Sequence, residues 1–321
     1  MKAGKTRKVD MSAPLGAQVT LPNPVGTASG CAGYGRELDR FVPLDALGTI
    51  TTKTVMPYPR SGRPTPRMAE TPSGMLNSIG LQGAGVEHFA EQELPWLAER
   101  GARVLVSVAG ESAEEFAAAA ARLKGLPGVV GIEANISCPN VANRGLVFAC
   151  DPTSSYEVVR AVRTAADPAV PVYAKLSPDV TSITDIAAAC TEAGADGLSM
   201  INTVLGMAID TETLRPALAG TTGGLSGPAI RPVAVRCVYQ VYAAMRAGSV
   251  RAVPILGMGG VRSGLDALEL VLAGASGVAV GTAIFNDPTA PLRVLRELES
   301  ALEARGFTSV CDAVGLAHGP R

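Results

Sequence analysis

The chain has 321 residues, a formal net charge of −1 and 47% hydrophobic content, enough apolar chain for one large core. Charges of both signs are interspersed and aromatics make up only 4%, which excludes the basic stripe or stacking aromatics of a nucleic-acid binder. No apolar run reaches the ~18 residues of a spanning helix, and no apolar stretch follows the basic start MKAGKTRKVD, so a cytoplasmic location is expected.

In chain order, residues 5–21 read as a short hairpin that plugs the bottom of whatever follows. Candidate strands come next at 24–29, 48–55, 103–109, 131–137, 171–176, 196–202, 253–257 and 277–280. Between them lie helical patterns such as VEHFAEQELPWLAERG, SAEEFAAAAARLKG and TSITDIAAACTEAG, several starting after Ser, Thr or Asp and stopping at Gly, as helix caps require. Eight strand–helix alternations predict parallel strands with right-handed crossovers, closed into a (β/α)8 TIM barrel. An open doubly wound sheet is the rival. The expected organisation is one domain over 1–321, with a long Pro/Gly-rich insertion at 56–85 after the second strand; loops of that length are functional or disordered.

In such a barrel the chemistry sits on the loops after the strands. Those tips carry Ser29-Gly30, Lys53-Thr54, Ser107, Asn135 with Cys138, Lys175, Asn202-Thr203, Gly259-Gly260 and Gly281-Thr282. The glycine-rich ends PILGMGGV and VAVGTAI suit a phosphate, which backbone N–H groups can approach closely. Because GMGGVR puts Arg262 at the last glycine position of G-x-G-x-x-G, a mononucleotide fits better than a dinucleotide. Cysteines 31, 138, 150, 190, 237 and 311 contain no C-x-x-C pair, and there are only two histidines. Disulfide frameworks, iron–sulfur or zinc sites and His-based triads are therefore not expected, and no residues are assigned to a metal. Cys190 and Cys237 fall in helical patterns and read as inert buried thiols.

Lys53 and Lys175 are isolated cations at the ends of apolar strands. Schiff-base chemistry and electrostatic support of a flavin ring both suit them. Asn77, Asn135 and Asn202 each offer two donors and an acceptor, and together could read a ring of alternating C=O and N–H groups.

PNPVGTASGCAGYGRE, RPTPRMAETPSGMLNSIGLQ, EANISCPNV, YAKLSPDV, TGGLSGPAIRPVA and GASGVAVGTA resemble the class 1 dihydroorotate dehydrogenase family, most closely the class 1B catalytic subunit. The resemblance runs from about residue 15 to 300. It implies an FMN-binding (β/α)8 barrel that oxidises dihydroorotate to orotate in pyrimidine biosynthesis. It implies FMN contacts at Ser29, Lys53, Thr54, Ser107, Asn135, Lys175, Ile201, Gly227, Gly259, Gly260, Gly281 and Thr282. Substrate would be held by Lys53, Asn77, Ser78, Ile79, Gly80, Leu81, Asn135, Asn202 and Thr203, with Cys138 as the catalytic base beside Lys53. Two positions depart from the family pattern: Ser107 and Gly83 each stand where Asn is usual.

A homodimeric core is implied, with a separate FAD and iron–sulfur subunit passing electrons to NAD+. Alternatives are a fumarate-linked class 1A type enzyme and another FMN-dependent dihydropyrimidine oxidoreductase. A flavin-free lyase and an inactive binding scaffold are rivals from other classes.

Overall fold

The computed structural model describes residues 8–137 and 150–320. Eight parallel strands form its central sheet: β1 (Val25–Thr27), β2 (Ile50–Thr51), β3 (Val104–Val108), β4 (Val129–Ala134), β5 (Val172–Leu176), β6 (Gly197–Met200), β7 (Ile255–Met258) and β8 (Gly277–Val280). Each falls within or across the strand expected from sequence. The hydrogen-bonded order is β1-β8-β7-β6-β5-β4-β3-β2. The two outer strands then meet: Gly48 N–H donates to Val25 O at 2.8 Å and Thr27 N–H to Thr49 O at 3.1 Å. The Thr27 hydroxyl accepts from Thr51 N–H at 3.0 Å on the same seam. The sheet is thus a closed (β/α)8 barrel, and the open-sheet rival is excluded.

Most strands are buried along their whole length, because helices cover the outside and side chains fill the inside. This is why they read as apolar runs. Helices at Ala113–Arg122, Pro152–Ala165 and Gly264–Ala273 start where Ser112, Asp151 and Ser263 accept backbone N–H bonds from the first turn, which satisfies donors a helix end leaves orphaned. None of the helices among the described residues is long and apolar enough to cross a membrane.

The N-terminal segment pairs Ala13–Pro14 with Thr20–Leu21. Its Leu15 and Leu21 pack into the barrel against Leu105, Tyr173, Leu256 and Met258, so the hairpin does plug one end. The plug and its neighbours leave no room for larger side chains. A Cβ on Gly197 of β6 would stand 2.2 Å from Tyr173 Cζ, so glycine there makes space for a ring that fills the barrel floor.

The insertion at 56–85 is ordered rather than irregular. Its strands Met68–Thr71 and Gly74–Asn77 pair with each other and, through the second, with Gly223–Ser226 and then Val204–Gly206. The partner strands come from the excursion between β6 and β7. Sequence reading did not anticipate this four-stranded sheet, because the pairing of Asn77 with Gly224 joins segments remote in the chain and leaves no local periodicity.

Candidate active site

The C-terminal ends of the strands open into a cavity of about 750 Å³, roofed by the four-stranded sheet. That volume lies in the range of small-molecule and cofactor sites. Ser29, Lys53, Thr54, Asn135, Lys175 and Ile201 line it from the tips of β1, β2, β4, β5 and β6. Asn202 and Thr203 follow from β6, and Gly259, Gly260, Gly281 and Thr282 from the tips of β7 and β8. The insertion supplies Asn77, Ser78, Ile79, Gly80 and Leu81, and the second excursion supplies Gly227. Residues scattered over the whole chain therefore converge on one wall.

Ser107, by contrast, is fully buried and is absent from the cavity wall. Its hydroxyl meets Thr54 Oγ1 at 3.0 Å, so it bears on the site through Thr54. Cys138 lies outside the described residues.

A hydrogen-bonded chain crosses the mouth of the barrel. Ser29 Oγ meets Thr54 Oγ1 at 3.2 Å, and Asn135 Nδ2 donates to the same Thr54 oxygen at 3.0 Å. Ser137 Oγ donates to Asn135 Oδ1 at 3.2 Å, and Asn202 Nδ2 donates to Ser137 Oγ at 2.9 Å. On the roof, Asn77 Nδ2 donates to Gly224 O at 3.2 Å. Asn77 and Asn135 thus each commit one N–H to the protein and keep a second, whereas the Asn202 amide nitrogen donates to both Ser137 Oγ and, at 3.2 Å, Ser137 O. The commitment fixes which way each amide faces. The loop Asn77–Leu81 is itself pinned, since Ile79 O accepts from Arg63 N–H at 3.0 Å and Ser78 N–H donates to Arg67 O at 2.8 Å.

At the β7 tip, Gly259 has φ +126° and Gly260 φ +75°, the region that favours glycine. A Cβ on Gly260 would also sit 2.7 Å from Arg231 Cβ. Here the conformation and the crowding both demand glycine.

Lys175 is not the isolated cation that its sequence context suggests. Its Nζ lies 3.8 Å from Glu133 Oε2 and 2.9 Å from Met258 Sδ. Glu133 escapes sequence reading, although the signal is in the strand itself. Ile132, Ala134 and Ile136 mark one face, so Glu133 and Asn135 share the inward one. Other wall residues not anticipated are Arg63, Cys31 and the stretch 222–224. Burial pushes the Cys31 thiol up to about 11, even against the opposing pull of the Lys175 and Lys53 ammonium groups. Cys190 and Cys237 are buried in helices, and burial raises both thiols, in keeping with the inert role expected of them.

A family model described as dihydroorotate dehydrogenase matches residues 16–302. The chain is 49% identical over 309 residues to the "dihydroorotate dehydrogenase B (NAD(+)), catalytic subunit" of Geobacter sp. (strain M21), covering 96% of this chain and 98% of that protein. Proteins of the same description from Geobacter sulfurreducens and Anoxybacillus flavithermus are each 48% identical, the second over 92% of this chain and 93% of its own length. With the family match spanning the barrel from its plug to its last helix, the chain belongs to the dihydroorotate dehydrogenase family.

Proposed function

We propose that this chain is a cytoplasmic, FMN-dependent dihydroorotate dehydrogenase of class 1B type, which oxidises dihydroorotate to orotate in pyrimidine biosynthesis. The observation that carries the reading is the convergence of Lys53, Lys175, Asn77, Asn135 and Asn202 on one cavity. A cavity of about 750 Å³ supports a reading with a flavin mononucleotide and a small acid together. Glycine-only backbone at 259–260 and the Thr282 hydroxyl, which donates to Ser226 Oγ at 2.8 Å, suit the phosphate end. The tips of β1, β2 and β5 suit the ring. When bound, FMN supplies the acceptor for the hydride that leaves C6 of the substrate.

The chain's own residues do the rest. Lys53 balances the substrate carboxylate; Asn77 and Asn135 each have a second N–H available to the ring of dihydroorotate, and Asn202 offers its amide oxygen. Cys138 takes the C5 proton as general base. A thiol of ordinary pKa ~8.5 is only a few per cent thiolate at pH 7, so turnover rises with pH until the thiolate dominates. Ser137, the residue before Cys138, is tied to Asn202 by side chain and carbonyl at 2.9 and 3.2 Å.

Electrons then leave through a partner that carries FAD and an iron–sulfur centre and reduces NAD+. The words "catalytic subunit" in the names of the relatives support a partner. A homodimeric core is supported by Met207, Ile209 and Leu214, large apolar side chains 48–80% exposed on the excursion after β6.

The test is the absorption spectrum of the purified protein, then anaerobic addition of dihydroorotate. Flavin bands that bleach are expected, and a colourless protein sinks the reading. Assay of the chain alone with NAD+, fumarate and a dye separates the partner-dependent enzyme, which reduces the dye only, from a fumarate-linked one.

A further inference from the structure

Glu133 is fully buried, and neither of its carboxylate oxygens has a hydrogen-bond partner among the described residues. An unpaired carboxylate in such a place is strongly disfavoured. Among the described residues, its one ion-pair partner is the Lys175 ammonium, at 3.8 Å. Lys175 lines the cavity and Glu133 does not. The order is therefore carboxylate beneath, ammonium in the middle, cavity above.

We propose that Glu133 is a positioning residue that tunes the flavin: it is the counter-ion of Lys175, and the pair, not the lysine alone, sets the field under the ring. This rests on the FMN reading given above. A lone cation at the cavity wall would favour negative charge on the ring without opposition. A carboxylate behind it partly cancels that field, since both charges act through a poorly screened interior. The consequence is a lower reduction potential than Lys175 alone would impose. For an enzyme that must hand its electrons onward, a ring that holds them too well is a defect, and the buried carboxylate corrects it. Among the described residues Thr51 and Ser199 also bring buried hydroxyls without partners, but neither carries charge, so the effect falls to Glu133.

The experiment is an anaerobic, dye-coupled measurement of the two-electron midpoint potential of the flavin-loaded protein. Glu133→Gln keeps the shape and removes the charge. It is expected to shift the reduction equilibrium about tenfold toward the reduced form, a rise of about 30 mV. Lys175→Met is expected to move it the other way. The double variant is expected to be non-additive, because each change removes the other's partner. An unshifted Glu133→Gln, or strictly additive changes, overturns the proposal. If Glu133→Gln does not retain flavin, Glu133→Asp draws the charge back by one methylene and must give a smaller rise of the same sign; no rise overturns the proposal. A flavin-free wild type overturns the functional reading and this inference together. A flavin-loaded wild type with an unshifted variant overturns this inference alone.

Discussion

At the N-terminal ends of the strands, Leu15 and Leu21 of the hairpin press against Leu105, Tyr173, Leu256 and Met258. Higher in the same barrel, the inward positions become Ser107, Glu133, Asn135 and Lys175, and hydroxyls and amides are chained across the mouth. The floor gains its stability from packing, which tolerates no loss of volume. The mouth contributes little net stability, because each internal hydrogen bond replaces one to water. What the mouth gains is orientation. Substitutions at the floor should therefore cost stability and spare chemistry, and those at the mouth should do the reverse.

The largest effect is expected at the floor. Tyr173→Ala should lower stability by about 3–5 kcal/mol, the usual cost of truncating a large buried aromatic. A urea midpoint measured against wild type checks this. If flavin binding at low temperature were lost as well, the division between floor and mouth would be too sharp. Next comes Cys138→Ala, with turnover down roughly 100-fold or more, the size of a general-base contribution. Its flavin spectrum and melting temperature should match wild type, and normal turnover would remove Cys138 from the mechanism.

Thr54→Val comes third. The Thr54 hydroxyl serves Ser29, Ser107 and Asn135 at once, so its loss leaves several groups short of a partner. A weakening of flavin affinity by about tenfold is expected, from a penalty of about 1–3 kcal/mol. Reconstitution of flavin-free protein with FMN measures it, and an unchanged affinity would show that the chain does not orient the site.

The smallest effects concern thiols away from the mouth. Burial pushes Cys190 up to about 12, well above the ordinary thiol range. Below pH 9 both folded and unfolded chains keep this proton, so its contribution to stability is fully present there. As pH rises further the unfolded chain releases the proton first, and stability falls. Iodoacetamide at pH 8 should accordingly spare Cys190 and Cys237 in the native protein and modify the exposed Cys150 and Cys311. Mass spectrometry of the modified peptides reads the outcome, and labelling of native Cys190 would contradict its burial.

Much of the barrel is legible in the sequence. Strand runs and helix caps are local signals: Ser112, Asp151 and Ser263 cap where their side chains can reach the first turn. The tips then follow from the direction of parallel strands, which places the end of each strand at one face. Two things are not legible. The insertion after β2 reads as irregular because its partner strand lies across the cavity at Gly223–Ser226. Lys175 reads as isolated because its counter-ion belongs to the neighbouring strand.

By itself, the order of apolar runs, caps and glycine turns determined an eightfold strand–helix alternation with polar residues at the tips, because each of those signals acts within a few residues. Tertiary structure alone decided that the roof is a sheet, that Thr54 is the hub of the polar chain, and that Glu133 stands behind Lys175. Those facts depend on the register between strands and on which side chains share the inside of a closed barrel, and neither is set until the sheet closes.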